Sequence, residues 1–303
     1  MKTQSSRRAA GGLLVAAGLL TGICFELLRQ HFEYPDILRM PTSYVLTQYQ
    51  AAGASLRVLW YGMTLGALLL IPASLLLHQG LSAGRVGPAT LITGLGVGAG
   101  LFNTLGFIRW VFMVPALAAT YTHPASGPAT REAARVVFEA FHLYLGFSVG
   151  EHLGFLFLAG WSGALAFALR ALPGMPRWFS AVGMLAAAGT LAGMLEGAGW
   201  SGAAGVVAVS SSVLLLWMVG LGVFLLAATG YRPGVPARKT LAALALVGVA
   251  SAARAQSGGV APAQPAAPKT LAGREVGINA FRNPSVGVEY RRNHFSVHAG
   301  YYP

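Results

Sequence analysis

Six apolar stretches, each long enough to cross a bilayer, constrain this chain more than any other feature. They run over about Ala9 to Leu28, Leu56 to His78, Pro88 to Ala118, Val136 to Leu169, Trp178 to Ala198 and Val206 to Thr229. A hydrocarbon core about 30 Å thick needs about 20 mostly apolar residues per helix. Apolar residues make up 55% of the 303-residue chain and charged residues 10%, against about 25% charged in soluble domains. The expected fold is therefore an all-α integral membrane protein, a six-helix transmembrane bundle over residues 1–232. Its partner is the lipid bilayer.

The formal charge of +12 does not mark a nucleic-acid surface. Basic residues sit at the ends of the apolar spans, and no aromatic–basic interleaving is present. With the N-terminus inside, Lys2, Arg7, Arg8, Arg85, Arg170, Arg177, Arg232, Arg238 and Lys239 collect on one face. The other holds chiefly Arg39, Arg131 and Arg135, with Arg29 and Arg57 at its edge. This bias predicts a bacterial inner-membrane protein with both ends of the bundle cytoplasmic. Trp178 and Tyr231 at the inner face, and Trp60, Tyr61, Tyr121 and Trp200 at the outer, read as interfacial anchors. The single cysteine, Cys24, reads as a small buried hydrophobe.

After the bundle the chain changes character. Arg238-Lys239, the apolar run Thr240 to Ala252 and Ala253-Arg254-Ala255 have the form of a secretory signal peptide. A seventh membrane helix over 233–256 is the alternative. Residues 257–273 form a linker rich in Pro, Ala and Gly, read as disordered, and 274–303 alternate as a β-hairpin-like tail. Both readings place residues after about 256 in the periplasm. The tail resembles the opening of a secreted outer-membrane β-barrel protein, which implies a fusion of two genes.

Ionisable residues inside membrane spans are costly, so they are candidates for function. Here they are Glu26, Arg109, Glu139, His142, Glu151, His152 and Glu196. Mapped onto the topology, most converge on the outer half of one bundle. A guanidinium in hydrocarbon needs a carboxylate or a water-filled cavity, so Glu151 or Glu139 is the expected partner of Arg109. That pairing serves either as a lock between spans three and four or as a polar ligand site. His152 is its expected titratable element, with Glu139, His142 and Glu196 nearby. Glu139-x-x-His142 has the spacing of a carboxylate-bridged ligand pair, but no second pair completes a di-metal site. His142 and His152 lie about 15 Å apart along a straight helix. No metal or cofactor is assigned; an enzyme or haem protein using the span-four Glu and His residues remains an alternative. No serine triad or nucleotide loop is present.

Two glycine stripes stand out. Gly146, Gly150 and Gly154 share one face of span four, and Gly189, Gly193 and Gly197 one face of span five. Such stripes let helices approach closely in lipid. They fit packing within the bundle, with a homo-oligomer interface or a purely structural assembly subunit as alternatives.

Tyr34-Pro35-Asp36-Ile37-Leu38-Arg39, Trp60-Tyr61, Leu105-Gly106-Phe107-Ile108-Arg109-Trp110 with Pro115, and Tyr144-Leu145-Gly146 through Val149-Gly150-Glu151-His152-Leu153-Gly154 form a recognisable set. Together they resemble the bacterial domain of unknown function 4386 family over about residues 8–230. The resemblance implies a multi-helix inner-membrane domain and brings no assigned activity. The best reading is a small-ligand binding or transport-type protein with a buried Arg/Glu/His site toward the periplasmic side.

Overall fold

The structure, a computed structural model, describes residues 2–84, 87–172, 174–196, 198–200, 202–227, 274–281, 285–292 and 295–301. Gly197, the signal-like segment 233–256 and the linker 257–273 lie outside the described residues. The chain divides into two units, Met1–Ala253 and Arg254–Pro303.

Within the first unit the helices are α1 (Lys2–Phe32), α2 (Thr42–Ala83), α3 (Ala89–Thr122), α4 (Pro128–Phe141), α5 (Gly154–Leu169), α6 (Arg177–Ala192) and α7 (Ala203–Ala227). A π-helical stretch, His142–Leu153, joins α4 to α5 without a break. Short 3-10 turns cover Asp36–Arg39 and Gly193–Glu196. Six helical segments among the described residues are long and apolar enough to cross a membrane; α4, the π-helical stretch and α5 form one of them, Pro128–Leu169. The chain is a multi-pass membrane protein.

The spans pack as a ring in sequence order. Each contacts the next, α3 meeting α5 and the π-helical stretch, and α7 returns to α1. Two apolar clusters fill the ring. One is built on Trp161, Trp217 and Leu165. The other lies at the end where α1 finishes and is built on Phe32, Trp60 and Trp110. There Trp60 and Trp110 stack 4.8 Å apart and nearly parallel, and Phe32 meets both edge-on.

Several boundaries differ from expectation. The stretch after Pro41 is already helical, and α2 reaches its membrane span through a kink at Gly53, whose φ of 67° suits only a residue without a Cβ. The start of span four is α4, whose Pro128 sits in the first turn where its missing N–H is harmless. Trp60 is 1% exposed and is a core residue rather than an interfacial anchor, because Phe32, Tyr34 and Trp110 close over it. Tyr61, Trp178 and Trp200 are exposed and fit the anchor role, while Cys24 is buried. In the second unit, β1 (Arg274–Phe281), β2 (Ser285–Arg292) and β3 (Phe295–Tyr301) form an antiparallel sheet in the order β1-β2-β3.

Candidate functional site: a polar chamber inside the ring

After Phe32 the chain turns through Tyr34-Pro35, whose peptide bond is cis, into the 3-10 turn Asp36–Arg39. Ile37 and Leu38 are buried, which pins this turn onto the end of the ring. It brings the Leu38 carbonyl and the Arg39 side chain to the π-helical stretch and to the 3-10 turn Gly193–Glu196.

Arg109, on α3, is 6% exposed. Its Nη1 donates to the Gly106 carbonyl at 2.9 Å. Its Nη2 lies 3.3 Å from His142 Nδ1, and its guanidinium lies 5.3 Å from the centre of the Trp110 ring. Nε is buried and has no hydrogen-bond partner. A guanidinium carries five N–H donors, so these two bonds leave donors over. Neither expected carboxylate pairs with it. Glu151 lies 3.6 Å from Arg39, and Glu139 accepts from Arg135 at 2.7 Å and from the Thr42 hydroxyl at 2.9 Å.

His142 is 8% exposed. Its Nε2 lies 2.8 Å from the Leu38 carbonyl, which can only accept. Arginine can only donate, so the hydrogen-bond pattern assigns the proton to Nε2 and the acceptor role to Nδ1. Phe138 stacks on the ring at 5.0 Å, and Trp110 and Phe147 meet it edge-on. His142 and Glu139 thus engage different partners, although their spacing suggested a shared ligand.

Arg39 carries the other half of the site. Its Nε and Nη2 donate to the two oxygens of Glu196 at 2.7 Å each, a fork geometry that suits guanidinium and carboxylate. Its flank also faces Phe147 at 5.5 Å. One arginine is therefore claimed by two carboxylates, while Arg109 has none in contact.

Arg39, Arg109, Glu151 and Glu196 line a cavity of about 330 Å³, with Tyr34, Asn103 and apolar groups among its other walls. The Tyr34 phenol, outside the spans, is pushed well above its ordinary pKa by burial first and by Glu151 second. It therefore stays a neutral donor. His152 does not line this cavity; it is exposed. In the π-helical stretch His142, Gly146, Val149 and Gly150 face inward, which leaves His152 outside.

The glycine stripes lie against the chain's own neighbours. A Cβ on Gly146 would stand 2.6 Å from Arg109 Nη2, one on Gly150 would stand 2.9 Å from the Gly106 Cα, and Gly154 adjoins Asn103. Gly189 and Gly193 adjoin Ser210 and Val207 of α7. Among the described residues no three of His, Cys, Asp and Glu are grouped to hold a metal ion.

Arg39 is the site residue that sequence reasoning passed over. It reads as a loop arginine, and only the 3-10 turn carries it to Glu151 and Glu196. No curated protein and no solved structure matches the chain. Its sequence does match, over residues 9–228, the family described as a domain of unknown function (DUF4386), a stretch that holds every residue of the polar chamber, and the chain belongs to that family.

Proposed function

We propose that this membrane protein binds a small anionic ligand in the polar chamber, as a binding or transport-type protein of the bacterial inner membrane. The observation that carries the reading is Arg109. It is nearly fully buried, has no carboxylate in contact among the described residues, keeps spare donors and sits in the wall of a cavity. An unpaired buried cation is strongly unfavourable, and a ligand carboxylate or phosphate would complete its coordination by paired N–H···O bonds. Tyr34 supplies a neutral hydroxyl donor beside it. Arg39, held by Glu196, keeps Glu151 from closing onto Arg109. The basic-residue bias supports a chamber that faces the periplasm, with the N-terminus in the cytoplasm.

The test is thermal unfolding of the purified protein in phosphatidylcholine nanodiscs with acetate or inorganic phosphate added. The wild type should show a saturable rise in unfolding temperature, and Arg109→Met should show none. If Arg109→Ala and Glu151→Gln merely lower stability and leave the anion response intact, Arg109 is a structural group and the reading fails.

A further inference from the structure

Beside the polar chamber lies a second cavity of about 160 Å³, lined by apolar groups such as Met63, Leu70, Ala99, Leu158, Leu214 and Met218. The two share Phe25, Tyr34, Asn103, Phe107, Phe155 and Ser211 as walls. The two cavities therefore adjoin across these side chains, as two compartments inside the ring. Along α3, Arg109 marks the polar compartment and Ala99 the apolar one; ten residues of helix place them about 15 Å apart. The pair is therefore charged at one end and greasy at the other.

We infer that the ligand is a single-chain amphiphile, an anionic head (carboxylate or phosphate) on an alkyl or prenyl tail. The head sits at Arg109 and Tyr34, and the tail runs past Asn103 and Ser211 into the apolar compartment. This rests on the anion-binding reading of the polar chamber and adds the tail. A small hydrophilic anion would leave the inner compartment unused, and a neutral lipid would leave Arg109 with no anionic group in contact. A close glycine contact shapes the inner wall: a Cβ on Gly66 would stand 2.2 Å from the Thr21 hydroxyl, and both residues line the compartment. Ala67, which also lines the inner compartment, leaves space that a larger side chain would take.

The experiment uses the full chain in phosphatidylcholine nanodiscs and a dodecanoate probe bearing a terminal diazirine. After irradiation, the labelled residues are mapped by peptide mass spectrometry. The expected label falls on inner-wall residues such as Met63, Leu70 and Met218. Excess dodecanoate or dodecyl phosphate should suppress it, and dodecyltrimethylammonium should not. Arg109→Met should reduce inner-wall labelling at least about tenfold, the loss expected for one charge-assisted contact. Ala67→Phe, which fills the inner compartment and leaves Arg109 in place, should abolish it. Label confined to lipid-facing positions such as Leu75 or Phe112, equal competition by the cationic amphiphile, or indifference to Ala67→Phe would overturn the inference. An anion-dependent rise in unfolding temperature without inner-wall labelling would sink the amphiphile and leave the small-anion reading standing. Loss of both would remove the two together.

Discussion

The guanidinium of Arg109 occupies the place where a side chain on Gly146 would be: a Cβ there would stand 2.6 Å from Nη2 and 2.8 Å from Cζ. The π-helical stretch comes this close to α3 because Gly150 and Gly106 also meet backbone to backbone. The glycine stripe of span four is thus more than a packing seam. It is a slot in which the Arg109 guanidinium lies over the Trp110 ring and reaches His142 Nδ1.

Gly146→Ala should therefore disturb the site as well as the packing. The added methyl must displace a buried, hydrogen-bonded cation, and overpacking of this kind costs about 1–3 kcal/mol. Gly94, within α3, is exposed and has nothing within reach of an added Cβ. Gly94→Ala should be neutral or stabilise by up to about 1 kcal/mol through helix propensity. Thermal unfolding of both variants in nanodiscs checks the contrast. Equal effects would show that the slot is not tight.

Replacing Arg109 by methionine separates a structural arginine from a ligand-binding one. The change removes a buried charge with no ion pair and substitutes an apolar side chain, which favours the folded state. It also leaves His142 Nδ1 without its donor, a cost of about 1–3 kcal/mol. The two effects oppose each other, so Arg109→Met should unfold within about 1 kcal/mol of the wild type. A much larger loss would mean that Arg109 holds α3 to the π-helical stretch and that stability is its role. Arg109→Lys should not substitute, since an ammonium lacks the fork that reaches Gly106 and His142 together.

Arg39 and Glu196 should behave as a coupled pair. Both are about a third exposed, which limits the direct interaction to about 1 kcal/mol. Arg39→Ala should cost more than that figure, because Glu151 and Glu196 then lose the one cation that contacts both. Adding Glu196→Gln or Glu151→Gln to Arg39→Ala should recover part of the loss, read as a positive coupling in a double-mutant cycle. Additive losses would show that Arg39 does not balance the two carboxylates.

The spans, and the convergence of Arg109, Glu151 and Glu196 inside the bundle, were legible in the sequence for one physical reason. Bilayer thickness sets a length, and charge inside that length is too costly to be incidental. What the sequence hid was register. His152 follows Glu151 directly in the chain, but the π-helical stretch turns His142 inward and His152 outward. Trp60 at a span end reads as an anchor, and only the fold of Phe32 and Tyr34 over it makes it core. Arg39 sits among loop residues, and its approach to Glu196 spans a separation of 157 positions, which no local pattern reveals.

The last prediction concerns the chain beyond the bundle. Thr240 to Ala252 is an apolar run of thirteen residues, short of the roughly 20 that a membrane-spanning helix needs. It falls within the about 7–15 residues of a signal-peptide apolar core. Arg238-Lys239 precede it and Ala253-Arg254-Ala255 close it with small residues at the positions a signal peptidase reads. We therefore expect cleavage after Ala255. Intact mass spectrometry of membrane-extracted protein, tagged at each end, should find two products that divide there. The six-span product alone should then carry the anion response, since every residue lining the chamber precedes residue 212. A single full-length mass would mean that the run stays in the membrane as a seventh segment, tethering the tail to the bundle.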